Sequence, residues 1–195
     1  MSSLADREKG LLLRLARRAI ELAVQSSSTL PETHFPDRCP CSGAFVTLRM
    51  RGRLRGCVGQ VYAACPLDEV VAHCARSAAL EDCRFQPLSA VELPEMRIEI
   101  SALSAIAPIA PEEIVTGRHG LIVSRGGRSG VLLPQVASEF GWDTARFLEE
   151  TCRKAGLEPN AWKDPAAKIS AFTAEIFGES NGGPMRPVPR YSNST

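Results

Sequence analysis

Apolar residues recur along this chain with two periods, and the change of period marks the predicted elements. Residues 4–25 repeat apolar side chains at steps of three and four, which predicts an amphipathic helix packed on a sheet. Residues 44–50 and 96–103 alternate apolar with polar side chains, which predicts strands. Further helices are predicted from Pro66, at 135–140 and up to Ala155, the last capped by Asp143 or Thr144. Ser89 and Glu92 have the spacing of a capping box, which predicts a short helical turn. Further strands are predicted at 121–123, 131–133 and 168–177.

The order of these elements favours an α+β protein. Strands come as hairpins with a few helices between them, and no regular strand–helix–strand rhythm appears. We therefore expect a mainly antiparallel sheet flanked by helices, with a smaller second lobe. Residues 1–179 are expected to form a single domain. Two lobes with a cleft between them are one arrangement that this domain could have. Residues 180–195 are rich in Gly, Pro, Ser and Asn, which predicts a disordered tail.

The first hairpin turns at Met50-Arg51-Gly52, read as a three-residue loop with glycine at the position of positive φ. This loop length sets the register of the two strands. Leu48 is then opposite Leu54, Val46 opposite Gly56, Ala44 opposite Val58, Phe45 opposite Cys57, Thr47 opposite Arg55, and Arg49 opposite Arg53. The register predicts that Cys57 faces away from the main core and shares a face with Arg55 and Thr47.

The stretch Leu54–Gly59 is the first candidate site, because it places Cys57 between two glycines. Cys57 would be a nucleophile, activated as a thiolate by Arg55 and by N–H groups near Gly56 and Gly59. Arg55, Gly56 and Gly59 are also candidate ligand-binding residues, since the glycines would let a substrate approach the backbone or supply an oxyanion pocket. The alternative is a small residue that fills a tight position in the sheet. No acid lies between Arg38 and Leu67, so the local arginines are either a solvated edge or a landing site for an anion.

The second group of candidates lies in the later half of the chain. His119 stands between Gly117 and Gly120 and is the candidate general base; the alternative is a loop histidine bonded to backbone. Arg118, Gln135 and Trp142 are candidate ligand-binding residues, since they suit recognition as well as catalysis.

Composition excludes several classes of function. The formal net charge is +1, which gives no field that would draw nucleic acid or a membrane. No targeting signal or membrane span fits the N-terminus, so a cytoplasmic protein is expected. Seven cysteines there would be reduced thiols rather than disulfides. His34, Cys39 and Cys41 are candidate zinc ligands, but an ordinary loop is the preferred interpretation because Cys39-Pro-Cys41 is too closely spaced. No cofactor motif and no metal site is predicted.

Motifs from residue 43 onward carry a family resemblance. They include Gly43-Ala44-Phe45-Val46-Thr47-Leu48, Leu54-Arg55-Gly56-Cys57-Val58-Gly59, Arg84-Phe85, Gly117-Arg118-His119-Gly120, Leu132-Leu133-Pro134-Gln135, Trp142-Asp143 and Cys152-Arg153-Lys154-Ala155-Gly156-Leu157. Over residues 9–179 the chain resembles the AMMECR domain, which in prokaryotes is similar to protein A of the AmmeMemoRadiSam set. Cys83 is a departure, since the family usually has proline there.

The resemblance implies a fold and a context rather than a reaction. The fold implied is an antiparallel sheet with flanking helices and a smaller lobe. The companions implied resemble extradiol-type dioxygenases and radical S-adenosylmethionine enzymes, in a shared pathway. Two hypotheses follow, a thiol-dependent enzyme and a non-catalytic adaptor that binds a small anion or a segment of a partner protein. Nucleic-acid binding is a weak third, since aromatic residues do not interleave the basic stretch.

Overall fold

The structure is a computed structural model that describes residues 4–26, 31, 41–63 and 65–179, with the side chains of residues 41 and 42 left out. Most of the predicted loop at 29–43, including the weighed zinc ligands His34 and Cys39, lies outside the described residues. So does the predicted tail at 180–195.

Four α-helices and eight strands form the regular structure of these residues. The helices are α1 (Asp6–Val24), α2 (Leu67–Leu80), α3 (Pro134–Phe140) and α4 (Thr144–Lys154). The strands are β1 (Cys41–Met50), β2 (Arg53–Gln60), β3 (Met96–Ser104), β4 (Ala107–Pro108), β5 (Gly120–Arg125), β6 (Arg128–Leu132), β7 (Lys168–Phe172) and β8 (Ala174–Gly178). Short 3-10 helices lie at Ala90–Glu92, Pro111–Glu113 and Pro159–Lys163.

The strands form two four-stranded antiparallel sheets, which confirms the predicted α+β class. The first sheet has the order β2-β1-β3-β8 and the second the order β4-β7-β5-β6. The chain divides into two compact units accordingly. Among the described residues, the first unit holds 4–104 and 175–179, and the second holds 105–174.

The core of the first unit lies between its sheet and the helices α1 and α2. Val46, Leu48 and Ile100 point inward from the sheet and are almost fully buried. Leu12 from α1 and Val71 from α2 belong to the same cluster. Each such side chain contributes roughly 1.5–3 kcal/mol when it is buried. The alternation that predicted β1 therefore marks its buried face correctly.

The core of the second unit lies between its sheet and α4. Leu121 and Val123 of β5 pack with Phe147 and Leu148 of α4, all of them buried. Asp143 caps α4 by accepting the Arg146 N–H at 2.7 Å, as one of the two predicted caps.

The predicted register of the first hairpin is wrong. The turn has two residues, Arg51 and Gly52, with φ of 49° and 79°, and this left-handed pair matches the twist of the strands. A β-bulge beside Leu48 and Arg49 absorbs the extra residue of β2. Thr47 therefore lies opposite Cys57, and Phe45 opposite Gly59. Cys57 still shares the face of Thr47, as predicted.

The single strand predicted at 168–177 is also wrong. The chain forms β7 in the second sheet, breaks at Thr173 and continues as β8 in the first sheet. Alternation of side chains is the same in both sheets, so the pattern alone does not show where the chain changes sheet.

Candidate functional site

The Cys57 thiol lies on the polar face of the first sheet, half-buried beside a hydroxyl. Its cross-strand neighbour Thr47 donates from Oγ1 to Cys57 Sγ at 3.3 Å. Thr47 is itself buried, at 7% exposure, so the hydroxyl is held against the sulfur.

The main-chain groups of Cys57 are held by two side chains from a later loop. Its N–H donates to Asp82 Oδ2 at 2.8 Å, and Arg84 Nη2 donates to its carbonyl oxygen at 3.1 Å. Because β2 is an edge strand of its sheet, these groups point away from β1 and have no strand to pair with. Asp82 and Arg84 thus take the place of a neighbouring strand at this one residue.

Asp82 and Arg84 also bind each other. Arg84 Nε donates to Asp82 Oδ1 at 2.9 Å and Nη2 donates to Oδ2 at 2.7 Å, a bidentate pair. The hydrogen bonds from the Arg84 side chain hold the pKa of Asp82 well below its usual range, with help from the Cys57 N–H and against the effect of burial. The carboxylate, only 5% exposed, is therefore charged at neutral pH, beside a guanidinium that is 53% exposed.

Arg55, the predicted activator of Cys57, is engaged elsewhere. Its Nε and Nη2 donate to the two oxygens of Glu92, at 2.8 and 3.1 Å, and Nη1 donates to Gln86 O at 2.9 Å. The Arg55 hydrogen bond lowers the pKa of Glu92 to about 2. Ser89 adds the predicted capping box, its N–H and hydroxyl both donating to Glu92 Oε2 at 2.8 Å. An anion at Arg55 would have to compete with Glu92, so ligand binding by Arg55 stays a prediction.

Two further arginines of the hairpin have acidic partners. Arg51 binds Glu95 at 2.7 Å, and Arg49 approaches Glu99 to 3.8 Å. These carboxylates lie on β3 or just before it, more than forty residues along the chain, so the absence of nearby acids in the sequence was misleading. The arginine series at these positions is paired rather than open to an anion.

Packing explains the two glycines beside Cys57. A Cβ added to Gly56 would lie 2.2 Å from Ala78 O of α2, and one added to Gly59 would lie 2.3 Å from the Phe45 ring. Neither neighbour has room for a side chain at these distances. Contact between a ligand and Gly56 or Gly59 stays a prediction, since close packing alone requires glycine at both positions.

His119 belongs to the second unit and is bound to its own loop. The imidazole Nδ1 accepts the Val115 N–H at 3.1 Å, and the main-chain N–H of His119 donates to Val115 O at 3.0 Å. Burial lowers the pKa of His119, and the charge of Arg118 adds to this. The imidazole is therefore neutral at pH 7, with its proton on Nε2. This arrangement matches the loop-histidine alternative, and a role as general base stays a prediction.

The remaining candidates also lie in the second unit. Trp142 is half-buried and stacks on Phe140, with ring centroids 4.9 Å apart and planes at 17°. Phe140 is 53% exposed and was missed in the sequence, although two aromatic residues around Gly141 are a visible signal. Gln135 is half-buried in the first turn of α3, and Arg118 is exposed. Ligand binding by Arg118, Gln135 and Trp142 stays a prediction.

Two other cysteines are packing residues. Burial raises the pKa of Cys74 to about 11 and also raises the pKa of Cys152. Within the described ranges, no group of three or more His, Cys, Asp or Glu residues is placed to hold a metal ion. Among the helices that the structure describes, none is long and apolar enough to cross a membrane.

These features define an α+β protein with two antiparallel sheets and a clamped cysteine on the edge strand of the first. The chain belongs to the AMMECR1 family, whose model matches residues 13–177. It is 44% identical over 203 residues to a protein of Thermococcus gammatolerans, covering 97% of this chain and 99% of that protein. It is also similar to a protein of Methanothermobacter thermautotrophicus, 41% identical over 187 residues, covering 89% of this chain and 96% of that protein.

A solved structure supports the same fold. The crystal structure of the uncharacterized protein PH0010 from Pyrococcus horikoshii matches with a TM-score of 0.78 and 40% sequence identity. The match covers 90% of this chain and 93% of that chain.

Proposed function

We propose that this protein acts through Cys57 as a thiol-dependent enzyme. The observation that carries the proposal is the partly buried Cys57, whose sulfur accepts a hydrogen bond from the buried Thr47 hydroxyl while Asp82 and Arg84 hold its main chain. A nucleophilic thiol needs a sulfur that is not fully buried, a fixed position and a polar neighbour. These contacts support that role for Cys57.

The substrate class follows less directly. The resemblance to the AmmeMemoRadiSam set motivates a pathway shared with dioxygenase-like and radical-SAM-like companions. We propose a small anionic substrate, because the guanidinium of Arg55 lies on the same strand as Cys57, two residues before it. Such a substrate would bind by displacing an acidic partner such as Glu92.

The test is the rate at which iodoacetamide modifies each cysteine of the native protein, read peptide by peptide by mass spectrometry. Cys83 is exposed and serves as the internal reference. Cys57 is expected to react faster than Cys83, with a rate midpoint at lower pH, while the buried Cys74 and Cys152 react slowly. The proposal fails if Cys57 reacts no faster than Cys83 and Cys57→Ser leaves function in cells intact.

The second candidate function is a non-catalytic adaptor, and the stack of the exposed Phe140 on the half-buried Trp142 favours it. Aromatic residues at a surface supply large contact areas to a partner. Phe140→Ala is expected to abolish co-purification with a dioxygenase-like companion. The matched control is Val91→Ala, which removes another exposed apolar residue, 85% exposed, from the first unit. Equal retention of the companion by both variants contradicts the adaptor role of this stack.

A further inference from the structure

The arginine that hydrogen-bonds Cys57 is Arg84, 27 residues later in the sequence. It lies in the same loop as Asp82. Arg55 lies nearer in sequence, but Glu92 and the carbonyl oxygen of Gln86 occupy its guanidinium. Arg84 donates directly to Cys57 O at 3.1 Å, and Asp82 accepts from Cys57 N at 2.8 Å. One residue thus meets a positive and a negative side chain at its two main-chain groups.

We propose that the Asp82–Arg84 pair positions Cys57 and sets the charge balance at its thiol, and thereby its reactivity. The inference rests on the proposed function and adds two positioning residues to it. Neither side chain is expected to touch the substrate. Each acts through the cysteine, whose edge position in the sheet would otherwise leave its main chain to water.

Distance makes both charges effective at the sulfur. Covalent geometry keeps the carbonyl oxygen and the amide nitrogen of Cys57 within about 5 Å of its own Sγ. Contacts of 2.8 and 3.1 Å then place one oxygen of Asp82 and one nitrogen of Arg84 within roughly 8 Å of the sulfur. This separation is within one Debye length at physiological ionic strength, about 8 Å, so solvent screens neither charge completely.

In the intact pair the two charges oppose each other. A positive charge near a thiol favours the thiolate and a negative charge disfavours it, so removal of Arg84 and removal of Asp82 are expected to have opposite effects. Removing one of the two charges removes its effect on the sulfur and keeps the effect of the other. A merely structural clamp would lose stability in either variant, but it would not move the reactivity of Cys57 in opposite directions.

Other ionisable groups around Cys57 leave this balance unchanged. On β2, Arg55 is paired with Glu92, and on the same face of the sheet Arg49 approaches Glu99. From the side of α2 come Cys65 and Cys74, and burial keeps Cys74 a neutral thiol at pH 7 by raising its pKa. The Asp82–Arg84 pair differs from these ion pairs because each of its side chains hydrogen-bonds the main chain of Cys57.

The test compares the pH midpoint of Cys57 alkylation in two charge-removing variants. In the reaction the thiolate sulfur forms a bond to the methylene carbon of iodoacetamide, iodide leaves, and the thiol proton passes to solvent. Asp82→Asn is expected to move the midpoint down by roughly half a pH unit to one unit, and Arg84→Gln to move it up by a similar amount. Melting temperatures of all variants report on folding separately.

Matched controls come from the ion pair at the hairpin turn. Arg51→Gln and Glu95→Gln remove one charge each from a pair whose N–O distance is also 2.7 Å. Arg51 is four residues beyond Thr47, which lies opposite Cys57, so it is roughly 13 Å along the hairpin from the cysteine. This is more than one Debye length, so screening predicts a much smaller shift of the midpoint in the control variants. If Asp82→Asn does not fold, Arg84→Lys replaces it: this variant keeps the charge and should hold the midpoint near that of the parent protein.

The outcomes separate the inference from the proposed function. Opposite shifts in Asp82→Asn and Arg84→Gln, much larger than those in the controls, support the inference. Shifts in the same direction, or none, overturn it even when the parent Cys57 reacts fast. A slow parent Cys57 instead contradicts the proposed function, and opposite shifts around that slow rate would still show the charge balance.

Discussion

Each of the two units contains a hairpin in which a glycine packs against a helix backbone, but the residues beside the two glycines differ. In the first unit, β2 meets α2 at Gly56, where an added Cβ would lie 2.2 Å from Ala78 O. In the second, β6 meets α4 at Gly130, where an added Cβ would lie 2.4 Å from Ala155 N and 2.6 Å from Thr151 O. Each glycine lets a helix backbone approach the sheet.

The difference lies in the residue that follows each glycine. Val131 follows Gly130 and pairs with Ile122 across the sheet. Cys57 follows Gly56, and Asp82 and Arg84 clamp its main chain. A glycine before the cysteine is therefore no sign of a ligand, because the second unit has the same glycine without a cysteine. The charged clamp is what distinguishes the first hairpin from the second.

Substitution of either packing glycine should produce the largest effects. Gly56→Ala and Gly130→Ala each force backbone to move, which should cost about 1–3 kcal/mol or more of unfolding free energy. Urea unfolding followed by circular dichroism measures this loss. Gly10→Ala is the control, since its Cβ would meet only the Arg14 side chain at 3.4 Å within α1 and should stabilise by about 0.5–1 kcal/mol. A Gly56→Ala protein as stable as its parent would refute the close approach of β2 to α2.

Changes in the free energy of unfolding with pH should be intermediate in size. They should have opposite signs for Glu92 of the first unit and Glu139 of the second. The lowered pKa of Glu92, about 2, makes its ion pair stabilising above pH 4.5, and this contribution is lost as the pH falls toward 2. Glu92→Gln should therefore cost about 1–3 kcal/mol at pH 6 and less at pH 3.

Glu139 of the second unit is the contrasting control. Burial raises its pKa, so folding disfavours its charged form and its effect on stability improves as the pH falls. Glu139→Gln should stabilise the protein at pH 6 and have no such effect at low pH. Parallel pH profiles of the Glu92 and Glu139 variants would contradict the assigned environments.

The smallest effect is expected from the hydroxyl beside Cys57. Thr47→Val keeps the shape of the side chain and removes the donor, so alkylation of Cys57 should slow by about twofold to tenfold. Thr151→Val removes a buried hydroxyl that donates to Phe147 O in α4, at 2.7 Å. That control should lower stability and leave the Cys57 rate unchanged. Equal rates of Cys57 alkylation in the parent protein and in Thr47→Val would show that the hydroxyl does not affect the thiol.

Local patterns in the sequence predicted most of the fold and the face of Cys57. The helices end near their predicted bounds, and Ser89 and Glu92 form the predicted capping box. Those features depend on residues three or four positions apart. The bulge in β2 was missed because turn geometry, not side-chain alternation, decides it.

The partners of the site could not be predicted in the same way. Asp82 and Arg84 reach Cys57 from a loop 25 and 27 residues away, and Glu92 reaches Arg55 across 37 residues. No spacing rule connects such positions before the fold brings them together. Proximity in the sequence therefore pointed to Arg55 as the arginine that acts on Cys57. In the structure, Arg55 is instead paired with Glu92, 37 residues away.

The path of the chain through the first sheet has a mechanical consequence for the cysteine. Residues 105–174 leave after β3 and return into β8, its neighbour in the sheet, so the whole second unit is a long excursion between adjacent antiparallel strands. If residues 105–174 unfold, any pull through the covalent chain acts on the first sheet at β3 and β8. The strand that carries Cys57 is at the opposite edge, with β1 between it and β3. Through covalent connections, such a pull therefore reaches β3 and β8 before it reaches the strand of Cys57.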